Sequence, residues 1–115
     1  MKRLDWLIAC ITLVLLGTGL MWGLVWAPAE TFMGDVYRII YVHVPCAWIS
    51  LLASTLSFGA CLVYLFRESL RADAFAEASA EVGVLFNALL LITGSIWGKP
   101  TWGGWWTWDP RLTTA

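Results

Sequence analysis

Residues 45–66 read P-C-A-W-I-S-L-L-A-S-T-L-S-F-G-A-C-L-V-Y-L-F, a run without one charged side chain. Wound as an α-helix it extends about 33 Å at 1.5 Å per residue, a full crossing of a bilayer's hydrocarbon core. Arg67 and Glu68 stop it on one side, and the apolar character begins near Ile39 on the other. Pro45 fits the first turn of such a helix, where a missing N–H costs nothing. His43 then falls at the helix's outer margin.

Two further runs flank this one. Trp6 to Trp26 is broken only by Thr12, Gly17, Thr18, Gly19 and Gly23, and Trp6, Trp22 and Trp26 stand where aromatic belts form. Ala27-Pro28-Ala29 has the form of a signal-cleavage site, but signal peptides carry a shorter apolar run, so a retained helix is expected. Val82 to Trp97 is shorter, and its helix is expected to begin near residue 79, with Glu81 close to the headgroups. Before it, Arg67 and Arg71, then Asp73, Glu77 and Glu81, recur every four residues, which predicts a helix running out of the membrane with a solvated stripe. The expected architecture is all-α and polytopic: membrane helices over about 6–26, 43–66 and 79–97, an external loop over 27–42, and a tryptophan-rich segment over 97–113.

Composition excludes the alternatives. Of 115 residues, 60% are hydrophobic and 13% charged, against about 25% charged in soluble domains. A water-soluble fold of this size could not hide so much apolar side chain, and disordered chains are polar instead. Net charge is −1 and the seven basic residues form no patch, so nucleic acid is not an expected partner. Cys10, Cys46 and Cys61 form no C-x-x-C pair and read as thiols packed in helices.

Topology follows from counting crossings. The second and third helices run in opposite directions, so the start of one and the end of the other share a membrane face. That places His43, the only histidine, beside everything after Trp97. Lys2, Arg3, Arg67 and Arg71 lie on one side and Arg38, Lys99 and Arg111 on the other; the N-terminal pair favours a cytoplasmic N-terminus.

The segment from 97 reads W-G-K-P-T-W-G-G-W-W-T-W-D-P-R-L-T. Gly98, Pro100, Gly103, Gly104 and Pro110 are expected to break any continuous helix, and irregular backbone cannot face lipid. Trp105 and Trp108 would share a helical face, Trp106 and Trp108 a strand face. An aromatic belt accounts for one or two of these indoles. A platform for a large, flat, apolar ligand, with glycines admitting it close to the backbone, accounts equally for the set. An imidazole on the same face suits a ligand with a metal centre, haem being the familiar case. Arg38, Lys99 and Arg111 are cations able to meet its propionates. Asp109 either pairs with Arg111 or accepts an indole N–H.

This segment, with I-I-Y-V-H-V-P-C-A-W upstream (residues 39–48), resembles the haem exporter protein C (cytochrome c maturation protein C) family of tryptophan-rich haem-handling membrane proteins. The resemblance runs from Trp6 to Leu112. It implies a six-helix fold, of which this chain carries the N-terminal half, holding haem b non-covalently on the periplasmic face of the bacterial inner membrane. In the family two external histidines bind the iron, and His43 matches the first; the second lies in the half not present here. Trp97, Trp102, Trp105, Trp106, Trp108 and Asp109 match the haem-facing loop. The implied partners are a periplasmic haem chaperone, an ABC-type ATPase with its membrane subunit, and a small one-helix membrane protein. With one axial ligand, the 115 residues alone are expected to hold haem weakly or not at all.

No set of nucleophile and base suggests an enzyme, and C-x-x-C-H, which would attach haem covalently, is absent. Two other readings are a small proton-coupled exporter using Glu81 and Asn87, and a structural subunit anchored by its tryptophans. An exporter normally sets its ionisable residue deep in the bilayer, and Glu81 stands near an edge.

Overall fold

The computed structural model describes residues 2–114, which divide into two compact units between Val42 and His43. Three of its helices are long and apolar enough to cross a membrane. The chain is therefore an all-α, multi-pass membrane protein.

In the first unit, helix α1 spans Arg3–Met21 and passes into a π-helical turn, Trp22–Trp26. The Asp5 carboxylate accepts the Lys2 backbone N–H at 2.8 Å, satisfying one of the N–H groups that every helix start leaves open. Thr18, the polar intrusion in an apolar run, donates to the Val14 carbonyl at 2.8 Å and so presents no free hydroxyl to lipid. No residue of α1 is buried; it is apolar all round, as a helix solvated by lipid must be. The π turn closes with the Ala27 N–H on the Trp22 carbonyl at 2.8 Å.

Residues 27–39 form an ordered turn rather than an open loop. The Glu30 carboxylate accepts the N–H groups of Phe32 and Met33, and Gly34, at φ 60°, takes the left-handed bend. A 3₁₀ turn, Asp35–Ile39, then leads directly into α2. Arg38 donates to the Ala27 carbonyl at 3.0 Å and the Leu24 carbonyl at 3.4 Å, and pairs with Asp35 at 3.3 Å. It thereby covers carbonyls that the end of the first helix leaves open. Gly23 is buried here because a Cβ at that position would stand 2.7 Å from the Cβ of Tyr41.

Helix α2 covers Ile40–Arg67 and α3 covers Leu70–Trp102. Within the second unit they form a hairpin joined by Glu68 and Ser69, with Glu68 left-handed at φ 49°. Its seam is built from small residues: Ser50, Ala53, Ala76 and Gly83 are all buried. Ser50 donates to the Gly83 carbonyl at 3.4 Å and Ser57 to the Ala76 carbonyl at 3.0 Å. Small side chains let two backbones approach where no hydrophobic effect drives them together, and the hydroxyls find acceptors across the gap. Large side chains point outward, the reverse of a soluble core.

The helices depart from the sequence-based bounds in three places. Helix α2 starts three residues before His43, so His43 stands in its first turn, near the margin, and Pro45 lies just beyond that turn. The preceding 3₁₀ turn already supplies helical geometry, and Pro45 removes a single bond, the one to the Tyr41 carbonyl. Helix α3 begins at Leu70, not near 79, because the charged four-residue repeat belongs to it. It also continues through Gly98 and Pro100 to Trp102. Pro100 forfeits one bond a single turn from the end, and the Thr101 hydroxyl donates to the Trp97 carbonyl at 2.8 Å. The stop is Gly103, left-handed at φ 81°, whose N–H bonds the Lys99 carbonyl at 2.9 Å.

Candidate functional site

The open end of the α2–α3 hairpin holds a cavity of about 250 Å³. Helix α2 contributes His43; α3 contributes Leu90, Leu91, Gly94, Trp97 and Trp102; the C-terminal segment contributes Asp109, Arg111 and Leu112. Residues more than fifty positions apart converge because the two-residue turn at Glu68 and Ser69 fixes the hairpin register. His43 meets Thr93 and Gly94 at nearly equal sequence distance from that turn.

His43 Nδ1 lies 2.9 Å from Thr93 Oγ1. Thr93 is buried, and its oxygen also lies 2.8 Å from the Leu89 carbonyl and 3.1 Å from that of Leu90. Gly94 permits the close approach: a Cβ there would stand 3.2 Å from His43 Cε1. Trp97 and Trp102 meet edge to face, centroids 4.9 Å apart at 89°, and form an aromatic wall.

Asp109 pairs with Arg111. Its carboxylate accepts the backbone N–H of Arg111 at 2.7 Å, so it caps the short helix α4, Pro110–Thr113. The same carboxylate binds the Arg111 guanidinium, through Nε at 3.1 Å and through Nη2. Those hydrogen bonds hold the Asp109 carboxyl below its ordinary range and push the Arg111 guanidinium up. The guanidinium carbon sits 5.5 Å from the Trp102 ring centroid, a cation–π contact. Asp109 thus pre-sets a cation at the cavity's rim.

Other expected site residues are not among those that line this cavity. Lys99 donates to the Gly103 carbonyl at 3.2 Å and lies 5.9 Å from the Trp105 ring centroid. Arg38 belongs to the first unit, its guanidinium engaged with Leu24, Ala27 and Asp35. Trp105, Trp106 and Trp108 are exposed and not among the lining residues, Trp108 at 85%. Their backbone is neither helix nor strand, and the Trp106 and Trp108 rings meet edge to face at 5.8 Å. Glu81 is exposed on α3, whereas Asn87 faces a separate groove with Ser50, Ser54 and Ser57.

Sequence reasoning missed Thr93 and Gly94. The signal was present: Thr93 is a polar residue in the apolar run L-L-L-I-T-G, and folding the chain back at Glu68 sets it opposite His43.

The geometry defines a membrane protein whose helical hairpin carries an imidazole, an indole wall and an anchored guanidinium at one end. Comparison with known proteins then fixes its kinship. The family profile described as CcmC, Heme exporter protein C, matches residues 1–115, and the chain belongs to that family. It is 46% identical to the Heme exporter protein C of Haemophilus influenzae over 112 residues, covering 96% of this chain and 45% of that protein. The Escherichia coli K12 protein of the same name is 40% identical, with the same coverage. A ccmC-like mitochondrial cytochrome c biosynthesis protein of Marchantia polymorpha is 43% identical over 89 residues, covering 77% of this chain and 39% of that protein. The chain spans slightly less than half the length of these relatives.

Proposed function

We propose that this chain is the haem-holding part of a cytochrome c maturation component, with His43 as one axial ligand. The observation that carries the reading is the convergence of His43, Trp97, Trp102 and Arg111 on one cavity. The donor set fits an iron porphyrin: an imidazole for the metal, indole and leucine walls for the ring, and a guanidinium for a propionate. A cavity of about 250 Å³ falls below the ~300–1,000 Å³ usual for closed ligand pockets, so this hairpin is a shelf that covers part of the ligand. In this reading the rest of the enclosure and a second histidine would come from the part of the family protein that this chain does not cover.

Haem b, when bound, would supply an iron centre that His43 would hold. The chain's own residues then act by binding and presentation rather than by catalysis. Trp97, Trp102 and the leucines withdraw apolar surface from water, at roughly 25 cal/mol per Å². Arg111, fixed by Asp109, orients a carboxylate. Trp105, Trp106 and Trp108, exposed beyond the cavity, extend the apolar surface toward a recipient. In this reading the shelf faces the periplasm from the inner membrane and delivers haem to a periplasmic haem chaperone. It works beside an ABC-type ATPase, that transporter's membrane subunit and a one-helix membrane protein.

The test is haem retention by the full-length protein purified from membranes. His43→Ala should remove most of the co-purified haem while the protein still inserts. Undiminished haem in that variant would sink the reading in favour of a structural subunit.

A further inference from the structure

One side chain at this site has a role set by hydrogen-bond arithmetic. A threonine hydroxyl carries one hydrogen and can accept two. Thr93 Oγ1 is 2.8 Å from the Leu89 carbonyl, which can only accept, and 2.9 Å from His43 Nδ1. Two arrangements meet those distances. In the first, Thr93 donates to Leu89 and accepts an N–H from Nδ1. In the second, Thr93 donates to Nδ1, and the ring hydrogen moves to Nε2.

The two differ at Nε2. His43 lines the cavity, and neither of its ring nitrogens is a buried atom left without a partner. The second arrangement leaves Thr93 Oγ1 at 2.8 Å from the Leu89 carbonyl oxygen and 3.1 Å from that of Leu90 with no hydrogen between them, so lone pair faces lone pair. The first satisfies every donor and leaves a lone pair on Nε2.

We propose that Thr93 is a positioning residue that holds His43 as its Nδ1–H tautomer, with the Nε2 lone pair presented to a metal centre in the cavity. Metal-bound histidines commonly have their second nitrogen tied in this way, which fixes the ring's rotation as well as its tautomer. Gly94 completes the arrangement, since a side chain there would press on Cε1 and turn the ring. The proposal rests on the haem-holding reading for its purpose, but not for its test.

His43 is the only histidine, so ¹⁵N-histidine labelling reports on one ring. The chain is placed in phosphatidylcholine nanodiscs without haem at about pH 8, above the ordinary imidazole pKa of ~6.5. Wild type should show a protonated, pyrrole-type Nδ1 and an unprotonated, pyridine-type Nε2. Thr93→Val should exchange those two shift types, and Thr93→Ser should restore them. A wild-type ring carrying its hydrogen on Nε2 overturns the proposal, as does a Thr93→Val ring that stays Nδ1–H. The wild-type spectrum decides the matter even if Thr93→Val fails to fold. Nδ1–H in a protein that keeps its haem after His43→Ala would sink the haem reading and leave the positioning role standing.

Discussion

The α2–α3 hairpin has two ends of opposite construction. Toward its turn, Ser50, Ser57, Ala53, Ala76 and Gly83 let the helices close on each other, with hydroxyls donating across the seam to backbone carbonyls. Toward its mouth, His43, Trp97 and Trp102 replace the small residues and a cavity opens. Both ends use the same device, a hydroxyl satisfied within the hairpin. At the seam Ser50 and Ser57 donate to carbonyls of the facing helix; at the mouth Thr93 donates to Leu89 in its own helix, and its oxygen lies 2.9 Å from the His43 ring. Stability is concentrated where side chains are smallest, and recognition where they are largest.

Overpacking the seam breaks this contrast most sharply. A Cβ at Gly83 already meets Ser54 Oγ at 3.4 Å and Ala53 Cβ at 3.6 Å. Gly83→Leu drives further atoms into that contact and should cost about 1–3 kcal/mol, read as a lowered unfolding midpoint in mild detergent. Trp102→Ala at the mouth should do the converse. It removes an edge-to-face partner of Trp97 and the face beneath Arg111, interactions of about 0.5–1.5 kcal/mol beyond area burial. Haem retention by the full-length protein should fall by up to about tenfold while the unfolding midpoint scarcely moves.

The smallest effect is confined to the rim. Because the Arg111 hydrogen bonds depress the Asp109 carboxyl, their stabilisation is complete above the ordinary carboxylate range and is lost as pH falls through the depressed value. Amide exchange at Arg111 should therefore lose protection in acid. Asp109→Asn should keep the cap yet free the guanidinium, and Asp109→Ala should lose both. Exchange protection that is indifferent to all three changes would detach Asp109 from any role in setting Arg111.

Comparison of particular residues shows how far the sequence could be read. Gly98 and Pro100 looked like breakers because breaker signals are local, yet one lost bond near a helix end is cheaper than unwinding a helix whose sides are already packed. Gly103 was the effective stop, for a reason only its backbone shows: a left-handed φ closing on the Lys99 carbonyl. Arg38, Lys99 and Arg111 were equivalent as cations on one face. Their partners separate them: Arg38 is engaged with the carbonyls of Leu24 and Ala27, Lys99 with that of Gly103, and Arg111 with Asp109 at the cavity.

Sequence alone determined the solvent and the count: three apolar lengths matched to a bilayer, two of them antiparallel, with one imidazole and five indoles gathered at a shared end. Hydropathy and chain direction are properties of segments, so they can be read one segment at a time. Only the tertiary structure decided which hydroxyl holds the imidazole, which carboxylate holds the guanidinium, and which indoles wall the cavity. Those are pairings across a hairpin, set by the length of its turn and the closeness that glycine, alanine and serine allow, and no single segment carries that information.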